Sequence, residues 1–287
     1  MTHAPQFGDA AAVAKKISIP PRPEALETIT LELNKSDPDI GRIVAAIKKD
    51  VTLYGAVLRV VNSPAMGLQS AVTSIDRAIM LLGLKKVYSL TQVTAIKMGL
   101  SKSLKMDRFW DSATEVAEIA ARLAHEVSGV STESAYTVGM FHDFGIPLMM
   151  QAFADYRVFL QTVNENSLLY LPAEETDRYG FTHYDVGYEL GKAWLVPPTL
   201  NLAIKLQPQI DAVFNDKIAI DDLDTIKTLL VLLEMAKNIS GVYRKFWRMN
   251  QAHTGSSIDP MLLDHLDISE AEFFELRDDY LSGMDKA

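Results

Sequence analysis

Ser36-Asp37-Pro38-Asp39-Ile40-Gly41-Arg42-Ile43-Val44-Ala45-Ala46-Ile47 sets the pattern for the chain. The Ser-Asp-Pro triplet ends one helix and begins another, proline being tolerated in a first turn, where its missing N–H has no intrahelical partner. Ile40, Ile43, Val44 and Ile47 recur at three and four residues, which predicts one buried helical stripe. Upstream, Leu26, Ile29 and Leu33 keep the same spacing; downstream, Leu53, Val57, Val60 and Val61 do so. A loop follows at Asn62-Ser63-Pro64-Ala65-Met66-Gly67. Ser74 then reads as the N-cap of a helix through Ile75, Ile79 and Leu82, closed by Gly83 in the left-handed conformation. Leu84 to about Leu100 and Phe109 to about Val127 predict two longer helices, the second closed by Gly129. Period-two alternation long enough for a sheet is absent, so the fold class is all-α.

The 287 residues are 48% hydrophobic and 23% charged, with a formal net charge of −9. That length buries a proper core without disulfides. The absence of cysteine removes thiolate metal sites and cysteine nucleophiles and suits a reducing compartment. An acidic chain repels phosphate backbones, so no nucleic-acid partner is expected. The apolar stretch from Ala10 to Ala14 has Asp9 before it and Lys15-Lys16 after it, the wrong arrangement for a secretory signal. The longest apolar run, Leu229 to Leu233, stops at Glu234, far short of a membrane span. The expectation is a cytoplasmic protein without membrane insertion. Residues 1–18 read as a flexible leader before the entry Ile19-Pro20-Pro21-Arg22-Pro23. Asp211, Asp216, Asp221, Asp222 and Asp224 mark a joint, and 213–287 reads as a helical C-terminal segment packed on residues 19–212. In that segment Thr225 to Ser240 predicts a strong helix, and Ser269-Glu270-Ala271-Glu272 a capping box.

Phe141-His142-Asp143-Phe144-Gly145 is the sharpest chemical feature. An imidazole beside a carboxylate can serve one metal ion, or two sharing the carboxylate, and such a centre polarises phosphoryl oxygens and acidifies bound water. The alternative is a buried helix-end histidine with a hydrogen-bonded aspartate. Gly180-Phe181-Thr182-His183-Tyr184-Asp185 offers two further candidates, His183 and Asp185. There Thr182 and Asp185 also fit a capping box, which would leave Asp185 holding a helix N-terminus and His183 in the first turn. Tyr243-Arg244-Lys245-Phe246-Trp247-Arg248 is basic and aromatic. It reads either as a contact surface or as cations at a helix end, with Phe246 and Trp247 packed inward. Gly-rich phosphate loops and the Gly-x-Ser-x-Gly elbow are absent.

Several blocks, taken in order, resemble the HDOD (HD-related output domain) family. They are Ile19-Pro20-Pro21-Arg22-Pro23; Asp50-Val51-Thr52-Leu53; Leu58-Arg59-Val60-Val61-Asn62-Ser63; Val72 to Ile79 with Leu81-Leu82-Gly83-Leu84; Phe109-Trp110; Gly139 to Gly145; and Gly180 to His183 with Asp185-Val186-Gly187. The resemblance covers about 19–210. It implies an HD-like helical bundle and a bacterial regulatory role alongside cyclic-dinucleotide, two-component or chemosensory components. The family is related to HD phosphohydrolases, and that comparison implies missing ligands. Ser112 stands at an expected histidine, Ile146 at a frequent lysine, Gln207-Pro208 at a histidine pair, and Met235, beside Glu234, at a late aspartate. The resemblance therefore implies that His142, Asp143, His183 and Asp185 are vestigial, with no metal or other cofactor. The function expected is non-catalytic signal transduction through contacts with other signalling proteins. The alternative is a metal-dependent phosphohydrolase acting on a nucleotide or cyclic dinucleotide.

Overall fold

The computed structural model describes residues 10–20, 24–62, 71–99, 106–166, 171–247 and 258–284. Residues 21–23 of the proline-rich entry, 63–67 of the loop and Arg248 lie outside the described residues, as does the side chain of Val60. The helices are α1 (Ala10–Lys16), α2 (Glu24–Leu33), α3 (Ile40–Lys49), α4 (Val51–Val61), α5 (Ile75–Leu82), α6 (Leu84–Gly99), α7 (Asp107–Val127), α8 (Thr132–Phe141) and α9 (Gly145–Ala152). They continue as α10 (Tyr156–Asn166), α11 (Leu171–Tyr179), α12 (His183–Ala193), α13 (Pro198–Leu206), α14 (Ile210–Phe214), α15 (Leu223–Ile239), α16 (Gly241–Phe246), α17 (Pro260–Asp264) and α18 (Glu270–Met284). No β-strand occurs among the described residues. The fold class is all-α, as the spacing predicts.

The chain forms two compact units, one of residues 20–101 with 193–195 and one of the remainder. In the first, α2 to α6 pack around Leu26, Ile29, Ile43, Ile47, Leu53, Val57 and Ile75, all without solvent exposure. Pro38 falls just outside α3. Asp39 is the N-cap, its carboxylate accepting from the Arg42 N–H at 3.1 Å. Ile40 departs from the predicted stripe and is 39% exposed, because it sits in the first turn, at the edge of the packed face. Leu33 is only half-buried, and its neighbour Glu32 takes the inward place. The Glu32 carboxylate accepts from Lys35 at 2.7 Å and from the Asp39 N–H at 3.1 Å, and pairs with Arg42 at 2.8 Å. These contacts tie the end of α2 to the start of α3. Asn62, just after α4, bonds to Val72: its amide donates to the Val72 carbonyl at 2.8 Å and accepts the Val72 N–H at 2.6 Å. Ser74 caps α5 by accepting from Arg77 N–H at 3.3 Å. Gly83 follows with φ 79°, on the positive side as expected, but its ψ of 151° is extended rather than left-handed helical.

In the second unit α7 lies along α8, and α15 packs against α7, α8 and α13. Leu229, Leu230, Val231, Leu232, Leu233, Met235 and Ala236 are all buried, so the longest apolar run of the sequence lies in a core helix. It begins at Leu223, two residues before the predicted start, after Asp222 at φ 54°. The Asp-rich stretch from Asp211 to Asp224 lies inside this unit. Residues 10–16 of the predicted leader form α1, with Val13 fully buried. The basic aromatic stretch packs inward at Trp247, 5% exposed, and Phe246 meets Phe109 with ring centres 6.0 Å apart. Glu115 on α7 accepts from the Ser240 hydroxyl and, at 2.8 Å, from the Val242 N–H, seating the start of α16. The capping box at α18 forms, Ser269 N–H donating to Glu272 at 2.8 Å and Glu272 N–H to the Ser269 hydroxyl at 3.3 Å.

The chain enters the first unit again for three residues, and Trp194 anchors that visit. It is fully buried and donates from Nε1 to the Pro20 carbonyl at 2.9 Å. Trp194→Phe keeps most of the apolar volume and leaves that carbonyl without its partner. Urea unfolding should show a loss of about 1–3 kcal/mol, and Trp194→Ala a larger loss of about 3–5 kcal/mol.

Candidate functional site

The centre forms where two pairs of helices change direction. α8 ends at Phe141, and Phe144 N–H and Ile146 N–H bond back to Phe141 and Asp143 carbonyls at 3.1 and 2.9 Å, turning the chain into α9. The turn is fixed by aromatic packing: Phe141 and Phe144 have ring centres 4.5 Å apart, and Trp110 meets Phe144 edge-on at 5.4 Å. On the other side α11 ends at Tyr179, Gly180 takes φ 90°, and α12 begins at His183. The two turns meet at Gly145. A Cβ placed there would lie 1.8 Å from the His183 carbonyl oxygen and 2.6 Å from its carbon, so no side chain fits.

That approach brings His142, Asp143 and His183 together, each at most 4% exposed. His142 Nδ1 is 2.6 Å from the Gly139 carbonyl, which can only accept, so Nδ1 carries a proton. Its Nε2 faces the Asp143 carboxylate at 3.2 Å. His183 Nε2 faces the other carboxylate oxygen at 3.6 Å. Neither Nε2 meets Asp143 as an aligned hydrogen bond, so both contacts are chiefly electrostatic. His183 Nδ1 is 2.8 and 2.9 Å from the two oxygens of Glu175, and its N–H donates to Glu175 at 3.1 Å. Glu175 is fully buried and also accepts from the Tyr156 hydroxyl.

These contacts govern protonation. Burial would raise the Asp143 pKa, but the imidazoles of His142 and then His183 overcome it and hold the carboxyl far below its ordinary range. Burial would lower the His183 pKa; Glu175, with Asp143, outweighs it and lifts it to about 9. At neutral pH an imidazolium therefore sits between two carboxylates. Tyr156 and Tyr184 are pushed well above the ordinary phenol value, first by burial and then by the neighbouring carboxylates, and stay neutral.

Asp185 does not join the cluster. Its carboxylate accepts from Thr182 N–H at 2.9 Å and from the Thr182 hydroxyl at 2.8 Å, and Asp185 N–H donates to that hydroxyl at 3.1 Å. This is the capping box, with His183 in the first turn of α12. Asp185 also pairs with the buried Lys205 of α13 at 3.3 Å. Glu175, Tyr156 and Lys205 are site residues that motif reading missed. The spacing of Leu171, Glu175 and Tyr179 would have placed Glu175 on the buried face of α11.

A divalent metal needs several converging oxygen or imidazole donors. Here the convergent donors are two imidazoles and one carboxylate, and His183 is also committed to Glu175. Gln207 turns its amide nitrogen to the His142 and Ile204 carbonyls, both at 2.9 Å. Ser112 is buried at 3% exposure and Met235 at 0%, and neither supplies the missing donors. Among the described residues, no group of three His, Asp or Glu side chains is arranged to hold a metal ion. The residues present do not fit such a group.

An all-helical unit built around a buried His-Asp turn and a second histidine belongs to the HD-like helical class. The family model of the HDOD domain matches residues 19–210, and the chain belongs to that family. An HDOD domain protein of unknown function from Geobacter sulfurreducens is 20% identical with a TM-score of 0.62, covering 94% of this chain and 95% of that one. A protein from Shewanella amazonensis, provisionally assigned as a phosphohydrolase, is 20% identical with a TM-score of 0.64, over 94% and 98% of the two chains. A protein from Marinobacter aquaeolei, provisionally assigned to signal transduction, is 21% identical with a TM-score of 0.71, over 96% of this chain and 62% of that one. At such identities the likeness is one of fold. A curated relative from Treponema pallidum, itself uncharacterised, is 25% identical over 196 residues, 67% of this chain. The match spans only 38% of that relative's length.

Gly145→Ala should cost more than about 3 kcal/mol or prevent folding, since backbone must move to admit the methyl group. Gly187→Ala is the matched control: its Cβ would meet nothing closer than 3.6 Å, and its stability in urea should change far less.

The raised His183 value also gives stability a pH dependence. Its contribution is complete below the unfolded value near 6.5 and is lost as pH rises through about 9. Unfolding free energy should fall across that window by about 3 kcal/mol, and His183→Gln should flatten the profile there.

Proposed function

We propose that this chain is a non-catalytic regulatory protein that acts by presenting its helical surface to other proteins in bacterial signal transduction. The observation that carries this reading is how the buried centre spends its donors. Asp143 lies between two imidazoles, His183 Nδ1 is taken by Glu175, and the Gln207 amide is turned to backbone carbonyls. In this reading such a centre leaves few donors to hold a metal that binds and activates a water, as phosphoester hydrolysis by an HD-type site requires. His142, Asp143 and His183 then serve as structural charges, and Asp185 as a helix cap.

Membership of the HDOD family and the provisional assignment of the Marinobacter protein to signal transduction support the same reading. Partners would come from cyclic-dinucleotide turnover or from two-component and chemosensory systems. They engage the domain at 19–212, with the helical segment 213–287 accompanying it. A cytoplasmic location goes with a cysteine-free chain. No described helix is long and apolar enough to cross a membrane.

A second reading, a metal-dependent phosphohydrolase acting on a nucleotide or cyclic dinucleotide, draws on the convergence of His142, Asp143 and His183. One experiment separates the two. Protein purified without chelator is assayed for bound metal by elemental analysis and for hydrolysis of phosphomonoesters, nucleotides and cyclic dinucleotides. The expected result is substoichiometric metal, no turnover, and an unfolding temperature unchanged by EDTA. A stoichiometric divalent ion whose removal abolishes a hydrolysis that His142→Ala also abolishes would overturn the regulatory reading.

A further inference from the structure

α1 is seven residues long, too short to persist alone in water. Tertiary contacts must therefore hold it. Val13 is fully buried and Ile17 is 4% exposed. Lys16 donates from Nζ to the Tyr179 carbonyl at 2.8 Å, and the same ammonium lies 5.7 Å from the centre of the Phe181 ring. Tyr179 is the last residue of α11, where helix carbonyls lack intrahelical partners and the dipole favours a cation. Gly180, at φ 90°, then turns the chain toward Phe181, Thr182 and His183. One lysine thus touches both sides of the turn that places the first residue of α12. The Lys16 side chain itself remains largely exposed, so water can compete for the contact.

The contacts continue inward within the same unit. Tyr179 meets Phe153 at 4.6 Å, Phe159 at 5.3 Å and Tyr156 at 5.6 Å between ring centres. The Tyr156 hydroxyl holds Glu175, and Glu175 holds both the ring and the backbone N–H of His183. A physical path therefore runs from the N-terminal helix to the buried charges.

We propose that α1 is a detachable strap, seated on the Tyr179–Phe181 turn by Lys16, whose release loosens the segment that carries His183. In the seated state Lys16 closes the end of α11 and Val13 is buried. In the released state the Tyr179 carbonyl turns to water and Gly180 is free to move. Among its described contacts are the burial of Val13 and Ile17 and the exposed Lys16 cation, and in the released state α7, α8 and α15 stay folded. A regulatory partner would gain a means of switching this face of the unit without any change in covalent chemistry.

The test is hydrogen–deuterium exchange on the full chain, comparing the wild type with Lys16→Ala and Lys16→Arg. In the wild type, amides of 13–17 should exchange at least tenfold faster than those of 229–236 in α15. Lys16→Ala should speed exchange about tenfold further in 13–17, and measurably in 180–186, while 229–236 stays unchanged. Lys16→Arg, which keeps the cation, should resemble the wild type. The strap is ruled out if 13–17 exchanges only as slowly as α15, or if Lys16→Ala changes nothing. It is equally ruled out if that variant speeds 13–17 and leaves 180–186 unmoved, or speeds α15 alongside them.

Discussion

The contact between Gly145 and the backbone of His183 is the constraint on which the second unit's centre depends. Two turns, each joining helices that would otherwise diverge, can touch only because one of them lacks a side chain at that point. The contact sets the start of α9 beside the start of α12, and the distances among His142, Asp143 and His183 follow from it. It also explains why the His-Asp block ends in glycine. The glycine's task is to let another strand of backbone approach, which a sequence motif does not state.

Once the turns meet, electrostatics decides what the cluster can be. Asp143 and Glu175 are carboxyl groups removed from water, and a buried charge without a partner is costly. His183 lies between them with a carboxylate facing each ring nitrogen, and the Tyr156 hydroxyl supplies a further donor to Glu175. The His183 imidazolium thus supplies positive charge between the two groups, and the Gln207 amide nearby is turned to the His142 carbonyl.

Much of this was legible in the sequence, and the exceptions share a cause. Helix spacing identified an all-α chain, the Ser74 cap and the capping boxes at Thr182 and Ser269, because these depend on local backbone chemistry. The order of motif blocks pointed to the family that the match over 19–210 then established. What the spacing misjudged were positions at the margins of helices, where burial depends on neighbours distant in sequence. Ile40 is apolar and exposed, while Glu32 is charged and buried. The residue that matters most to His183 was invisible for the same reason. Glu175 belongs to an acidic run that looks solvated, and only its place between Leu171 and Tyr179 on one face of α11 reveals that it points inward. α1 escaped notice because seven residues carry too little periodicity to register.

A buried network of this kind is a poor source of net stability, since apolar side chains of similar volume often do as well. Its distinctive property is that each member accepts few partners. His142 Nδ1 needs the Gly139 carbonyl, Glu175 needs a donor on each oxygen, and Asp143 needs both imidazoles. A shift of either turn by one residue would strand at least one of these groups, whereas an apolar core would simply repack. The charges therefore fix which way two helix pairs dock. That specificity is a structural reason for the arrangement, and it makes the turn at Gly180 a place where a small displacement has a large energetic consequence.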